Sequence, residues 1–269
     1  MRPQSPILAL ALAATAVHAT DPGLPAKATL TYEGATTIGK GIMPAAAKRF
    51  EALTGVAFTF IGEAGAEPGF KAAVAGKATF GGVARELSGA ERAQVAVAQT
   101  IAFDVMAVFV HPGNPVKALT RAQLKILFTG QVRNWKELGG ADVPVTVYSE
   151  KLNGGRATVK AFKDMVLGPA PYGPVVEFDD APDCLVEVAK DPGGIAASSM
   201  SFAIPAVATL AVDGAEPTRA EVQAGRYPLK RPLILVAREP ASGAVQAFLD
   251  FIMGPEGQAI VARKFVPAR

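Results

Sequence analysis

Three loops, each placed where a strand should hand over to a helix, constrain this chain most. They read Gly34-Ala35-Thr36-Thr37-Ile38-Gly39, Gly62-Glu63-Ala64-Gly65-Ala66-Glu67-Pro68-Gly69 and Asn153-Gly154-Gly155-Arg156-Ala157-Thr158. The first residues of a helix present backbone N–H groups without intrahelical partners and a partial positive charge, so such junctions suit an anion. Their spread from residue 34 to residue 158 predicts a pocket assembled from distant segments and shared between lobes. The pattern favours binding over catalysis.

The sequence around these loops alternates strand and helix patterns. Residues 28–33 read as a strand, and a helix from about Gly39 sets Ile42, Ala46, Phe50 and Leu53 on one face. Strands follow at 56–61 and 78–83, and Ser88-Gly89-Ala90-Glu91 is a capping box that opens another helix, expected to end before Thr100. Val105–Val110 is nearly all apolar, as expected of a strand covered on both faces. His111-Pro112-Gly113-Asn114-Pro115 then breaks the pattern and marks a candidate lobe crossing. Further strands are expected at 143–148, 175–178, 195–199 and 231–236, with helices at 157–166 and 181–190 and two near the C-terminus. Alternation with short loops predicts an α/β fold with open, mainly parallel sheets.

Composition narrows the chemistry. Residues 1–19 have the form of a cleavable export signal, with Arg2 before an apolar run at 7–14 and small residues at Val17-His18-Ala19. Later apolar stretches are too short to span a membrane, so a protein acting in the periplasm is expected. The net charge of +3 falls to +2 when Arg2 leaves with the leader, and without a Lys/Arg run this gives no nucleic-acid-binding profile. Of two histidines only His111 remains in the mature chain, and Cys184 is the single cysteine. A His/Cys metal cluster is excluded, and His111 reads as a strand-end residue rather than a catalyst. No cofactor and no catalytic residue are predicted.

The order of these pieces resembles the phosphate-binding proteins of bacterial ABC transporters, a branch of the periplasmic solute-binding proteins. The segments that carry it are Gly34-Ala35-Thr36-Thr37, the glycine loop near residue 65, Val83–Ser88 with Glu91, and Ile101-Ala102-Phe103-Asp104. It continues through Pro112–Val116, Leu119–Leu124, Phe128-Thr129-Gly130, Asn134-Trp135, Gly193–Ala196, Tyr227–Leu233 and the tail from Pro255 to Pro267. The resemblance implies a two-lobed periplasmic-binding-protein fold of type II, with ligand in the interlobe cleft. It places the first lobe at 20–110 with a return at 205–269, and the second at 111–204. It further implies a monomer that binds phosphate or a related anion and serves a membrane ABC permease.

The family captures phosphate with backbone N–H groups, hydroxyls, an arginine and a carboxylate. Carried onto this chain, the ligand residues are Thr36, Thr37, Gly65, Ala66, Arg85, Gly155, Arg156, Ala157 and Thr158, with Asp104 either facing the cleft or acting as a structural partner. Thr36 and Thr37 have a plain alternative as helix caps, as does Thr158, while Arg85 and Arg156 have one as surface pairs of Glu86 and Glu150. Glu63 and Glu67 are expected on the rim, and Trp135 in the packing of the second lobe. Three departures stand out: Ala84 and Arg156 occupy positions where a serine is common, and the second loop is acidic. They leave open a different oxyanion, an anionic organic solute, or a sensing rather than a transport role. A hydrolase is the weakest reading.

Overall fold

A computed structural model describes residues 28–153 and 156–268, so the expected leader and Gly155 lie outside the described residues. The chain opens with β1 (Thr29–Gly34), α1 (Thr36–Gly41), α2 (Met43–Thr54), β2 (Ala57–Gly62), α3 (Ala66–Val74), β3 (Phe80–Val83) and α4 (Gly89–Arg92). The long β4 (Val97–Val110) follows, then β5 (Ala118–Leu119), α5 (Arg121–Phe128), β6 (Thr146–Glu150), α6 (Ala157–Phe162), β7 (Val176–Phe178), α7 (Ala181–Lys190) and β8 (Gly194–Ser199). Short β9 (Ala208–Thr209), β10 (Ala211–Val212) and α8 (Arg219–Gln223) lead to β11 (Lys230–Ala237), α9 (Gly243–Met253), α10 (Pro255–Val261) and β12 (Val266–Pro267).

Among the described residues the main sheet runs β2-β1-β3-β11-β4-β8-β6-β7, with β9 and β12 also paired to β4. The pairs β1–β2, β1–β3, β6–β7 and β6–β8 are parallel, whereas β11 and β8 flank β4 antiparallel. β4 therefore ties two parallel half-sheets together. Its first part, Val97–Val105, pairs with β11, and its second, Met106–Val110, pairs with β8. The chain exchanges sheet partners between Val105 and Met106, inside a strand. The His111 loop lies beyond that point, and its Nδ1 accepts from the Gly113 N–H at 3.0 Å to close a local turn.

Packing shifts the second crossing as well. Leu210, Val212, Ala215, Val222, Tyr227 and Leu229 share one core with Val108, Leu124, Phe128, Trp135 and Ile195. The segment 205–229 thus packs with the second lobe, and the return to the first comes at β11, not at 205. Tyr227 fixes the passage by donating to the Met106 carbonyl at 2.7 Å. Trp135 is buried in the second-lobe core, as expected, and its indole N–H reaches the Gly193 carbonyl at 3.0 Å.

The first lobe is built around Tyr32, Ile38, Phe50, Phe80, Leu233, Leu235 and Phe248. Its helix starts at Thr36, earlier than the pattern suggested, and breaks at Ile42 before resuming. Ile42, Ala46 and Phe50 point inward, but Leu53 at the helix end is 48% exposed. Where β1 meets β3, only glycine fits. A Cβ on Gly34 would overlap the Gly82 backbone, one on Gly69 the Gly34 backbone, and one on Gly82 the Tyr32 hydroxyl. Gly82→Ala is expected to destabilise the protein by about 1–3 kcal/mol through overpacking. Gly89→Ala, which meets nothing within 4 Å, serves as the control. Urea midpoints that fall equally for both variants would show that this close approach is not needed.

Candidate functional site

The seam between the half-sheets holds a buried polar knot. Antiparallel register sets Arg231 of β11 directly across from Asp104 of β4. The guanidinium donates to Asp104 Oδ2 from Nε at 3.0 Å and from Nη2 at 2.8 Å, while Ser199, at the end of β8, donates its hydroxyl to Oδ1 at 2.5 Å. Asp104 is 1% exposed and Arg231 7%. Both Asp104 oxygens are thus engaged by Arg231 and Ser199, side chains on neighbouring strands rather than a loop N–H, and these partners are what sequence reading missed. A signal existed: β11 is apolar and buried on both faces beyond Arg231, so a charged residue at its start is buried whichever face it takes.

The same guanidinium reaches both lobes. Nη2 lies 3.4 Å from Thr37 Oγ1 in the first lobe, and Nη1 lies 3.3 Å from the Ala157 carbonyl in the second. Two of the three glycine-bearing loops thus meet at one side chain. The second loop joins the first, since Gly65 donates its N–H to the Gly34 carbonyl at 3.0 Å and Thr36 Oγ1 donates to the Glu63 carbonyl at 3.4 Å. Gly65 takes φ 110 at the start of α3, with Ala66 as the first helical residue. None of α1, α3 and α6 has a side-chain cap: the N-cap residues are Ala35, Gly65 and Arg156. Thr36, Thr37 and Thr158 are not caps, which leaves their hydroxyls for other work.

Thr158, 9% exposed, turns its hydroxyl to Glu150. Burial pushes the Glu150 carboxyl up, Arg156 pulls it back, and Asp180 raises it further. Arg156 is spread over acids: its Nη2 donates to the Asp179 carbonyl and lies 3.3 Å from Asp180, and its Nε lies 3.9 Å from Glu150. Its partners thus extend beyond Glu150, the alternative pairing the sequence offered, to Asp179 and Asp180. Arg85 follows β3 as predicted but turns to carboxylates rather than toward the seam. It donates to Glu91 at 2.6 and 2.9 Å and to Glu67 at 3.1 Å. The Arg85 hydrogen bonds, followed by the Ser88 N–H, hold Glu91 down at about 2. Arg85 is thus the sequence-selected cation that the seam does not gather. Glu67 also pairs with Lys71, and Glu63 with Lys40. Among the described residues no group of His, Cys, Asp and Glu is arranged to hold a metal.

With this geometry in place, comparison with known proteins is decisive. The PBP superfamily domain matches residues 19–256. A crystal structure of a candidate phosphate ABC transporter substrate-binding protein with bound phosphate, from Clostridium perfringens, is 31% identical with a TM-score of 0.71. It covers 90% of this chain and 100% of that one. The chain belongs to the PBP superfamily and is PstS-like. The phosphate-binding protein PstS of Pseudomonas aeruginosa is 26% identical over 93% of this chain and 88% of its own length. PstS of Bacillus subtilis is 30% identical over 62% of this chain, a match spanning 55% of that protein. The type II binding-protein fold holds, and the family is one of solute receptors rather than enzymes.

Removing one partner of the seam pair should expose its energetics. Arg231→Met leaves Asp104 buried and unpaired and is expected to cost about 3–5 kcal/mol, with much of that recovered in Arg231→Met/Asp104→Leu. Additive losses in the double variant, measured by chemical denaturation, would contradict a direct pair.

Glu150 gives a pH prediction. Its folded pKa is raised, so its contribution is fully present below the unfolded value of about 4.3 and is lost as pH rises through the folded value. Glu150→Gln should therefore gain stability relative to the parent as pH rises through that window. A pH-independent difference would mean that Glu150 is not desolvated.

Proposed function

We propose that this PstS-like chain is a periplasmic receptor that captures phosphate between its lobes and passes it to an ABC permease in the membrane. Arg231 carries the reading at the level of this chain: a buried cation at the seam, within reach of Thr37 on one lobe and Ala157 on the other. An anion entering the seam loses its hydration shell and must recover those hydrogen bonds from the protein. Thr36 and Thr37, Ala66, and Ala157 and Thr158 supply hydroxyl and backbone donors around it, Gly65 shapes the turn into α3, and Gly155 belongs to the same third loop. Ligand bridging both walls favours the closed member of an open–closed pair. Location in the periplasm rests on the leader-like residues 1–19 and on kinship with solute receptors.

A second reading keeps the mechanism and changes the ligand to a larger anionic solute. Its support is the engagement of Arg156 with Glu150 and Asp180, and of Arg85 with Glu67 and Glu91, which leaves fewer free cations than three arginines suggest. A thermal-shift panel of phosphate, arsenate, sulfate, phosphonates and organic acids separates the two. A true ligand at a thousandfold excess over Kd should stabilise by about 4 kcal/mol. Phosphate leading the panel supports the first reading, and an organic acid leading it supports the second. Silence across the panel rejects both.

A further inference from the structure

We propose that Arg231, rather than Arg85 or Arg156, is the arginine that grips the anion, and that it does so from β11, the strand by which the chain returns to the first lobe. The inference rests on the phosphate-receptor reading and names the contact within it. A guanidinium has five N–H donors in a rigid fork. Asp104 takes two of Arg231's at 2.8 and 3.0 Å. The bonds to Thr37 Oγ1 and the Ala157 carbonyl are long, at 3.4 and 3.3 Å, and the remaining Nη1–H has no partner among the described residues. The Arg231 side chain keeps 9% exposure against 1% for Asp104, so what remains open in the pair is on the guanidinium side.

The rival arginines are committed elsewhere. Arg85 makes a two-pronged pair with Glu91 and a second contact with Glu67. Arg156 is 41% exposed and shares its guanidinium among Asp179, Asp180 and Glu150. Arg231 faces Asp104, and Glu150 acts on it from the end of β6. An anion that takes over the outer edge of the guanidinium replaces two weak bonds with charge-assisted ones. Because that edge touches Thr37 and Ala157, the exchange occurs where the lobes meet.

The test is isothermal titration of inorganic phosphate into the parent and Arg231→Lys. Lysine keeps a positive charge for Asp104 but lacks the fork. Phosphate Kd should rise at least about tenfold, the equivalent of one charge-assisted hydrogen bond. A structural role alone would lower the melting temperature of the empty protein and leave Kd unchanged, which would overturn the proposal. Side-chain ¹⁵N spectra of the parent protein give a readout that does not depend on a variant folding. The Arg231 Nε and Nη signals should move on addition of phosphate, and signals that stay still while phosphate binds would overturn the assignment. A parent protein that binds no phosphate would overturn this inference together with the receptor reading. Binding with an indifferent Arg231 would overturn the inference alone.

Discussion

Everything at the centre of this protein depends on one cross-strand ion pair. β4 exchanges β11 for β8 between Val105 and Met106, and Asp104 stands at that exchange with Arg231 opposite and Ser199 beside it. Three strands from both half-sheets therefore converge on a single carboxylate. In a low-dielectric seam such a carboxylate is tolerable only when its oxygens are saturated with donors, and here three N–H and O–H groups supply them. The ion pair also fixes register, because a one-residue slip of β11 would turn Arg231 to the opposite face of the strand.

Around that knot, glycine decides how closely the first two loops approach. Gly34, Gly69 and Gly82 leave no room for a Cβ against each other's backbone or Tyr32. Tyr32 in turn donates to the Ala35 carbonyl at 3.0 Å, and Ala35 donates its N–H to the Gly82 carbonyl at 2.9 Å. Glu33 adds a carboxylate that accepts from the N–H groups of Gly34 and Ala64 at 3.0 and 2.8 Å. Thr36 and Thr37 are held in place by backbone crowding rather than by caps of their own. Loop position thus follows from packing in the sheet below, a rigid way to present the Thr37 hydroxyl to the seam.

Much of the fold could be read from residue pattern, and the places that could not are informative. The apolar run at 105–110 was legible because both faces of the strand are covered, but its first half, Val97–Asp104, mixes Gln99, Thr100 and Asp104 with apolar residues and hides the full length of β4. At about 3.3 Å per residue a strand of 14 residues is long enough to cross between lobes unaided, so no breaker was needed at the crossing. Loop chemistry picked out Thr37 and Ala157, which lie within reach of Arg231, because local sequence marks the start of a helix. It also picked out Arg85, whose partners Glu67 and Glu91 are chosen by the fold, and it did not single out Arg231. Arg231 belongs to a strand whose meaning depends on the residue across the sheet, 127 positions earlier.

The ion pair also explains why an arginine is suited to this seam when an apolar pair would pack as well. Desolvation cancels most of the Coulomb attraction in a buried pair, so net stability is a poor reason to keep one. Asp104 contributes orientation instead. By taking Nε and one hydrogen of Nη2, it fixes the plane of the guanidinium and turns Nη1 and the outer edge of Nη2 toward Ala157 and Thr37. A lysine on the same backbone would satisfy the carboxylate without offering a planar edge. The charge of the pair is balanced, so an anion bound there as proposed would meet directed N–H donors rather than a bare positive field. Such donors are least screened where burial excludes water and salt. Under the role proposed for Arg231, recognition at the seam is a matter of geometry, with Asp104 as the group that holds that geometry in place.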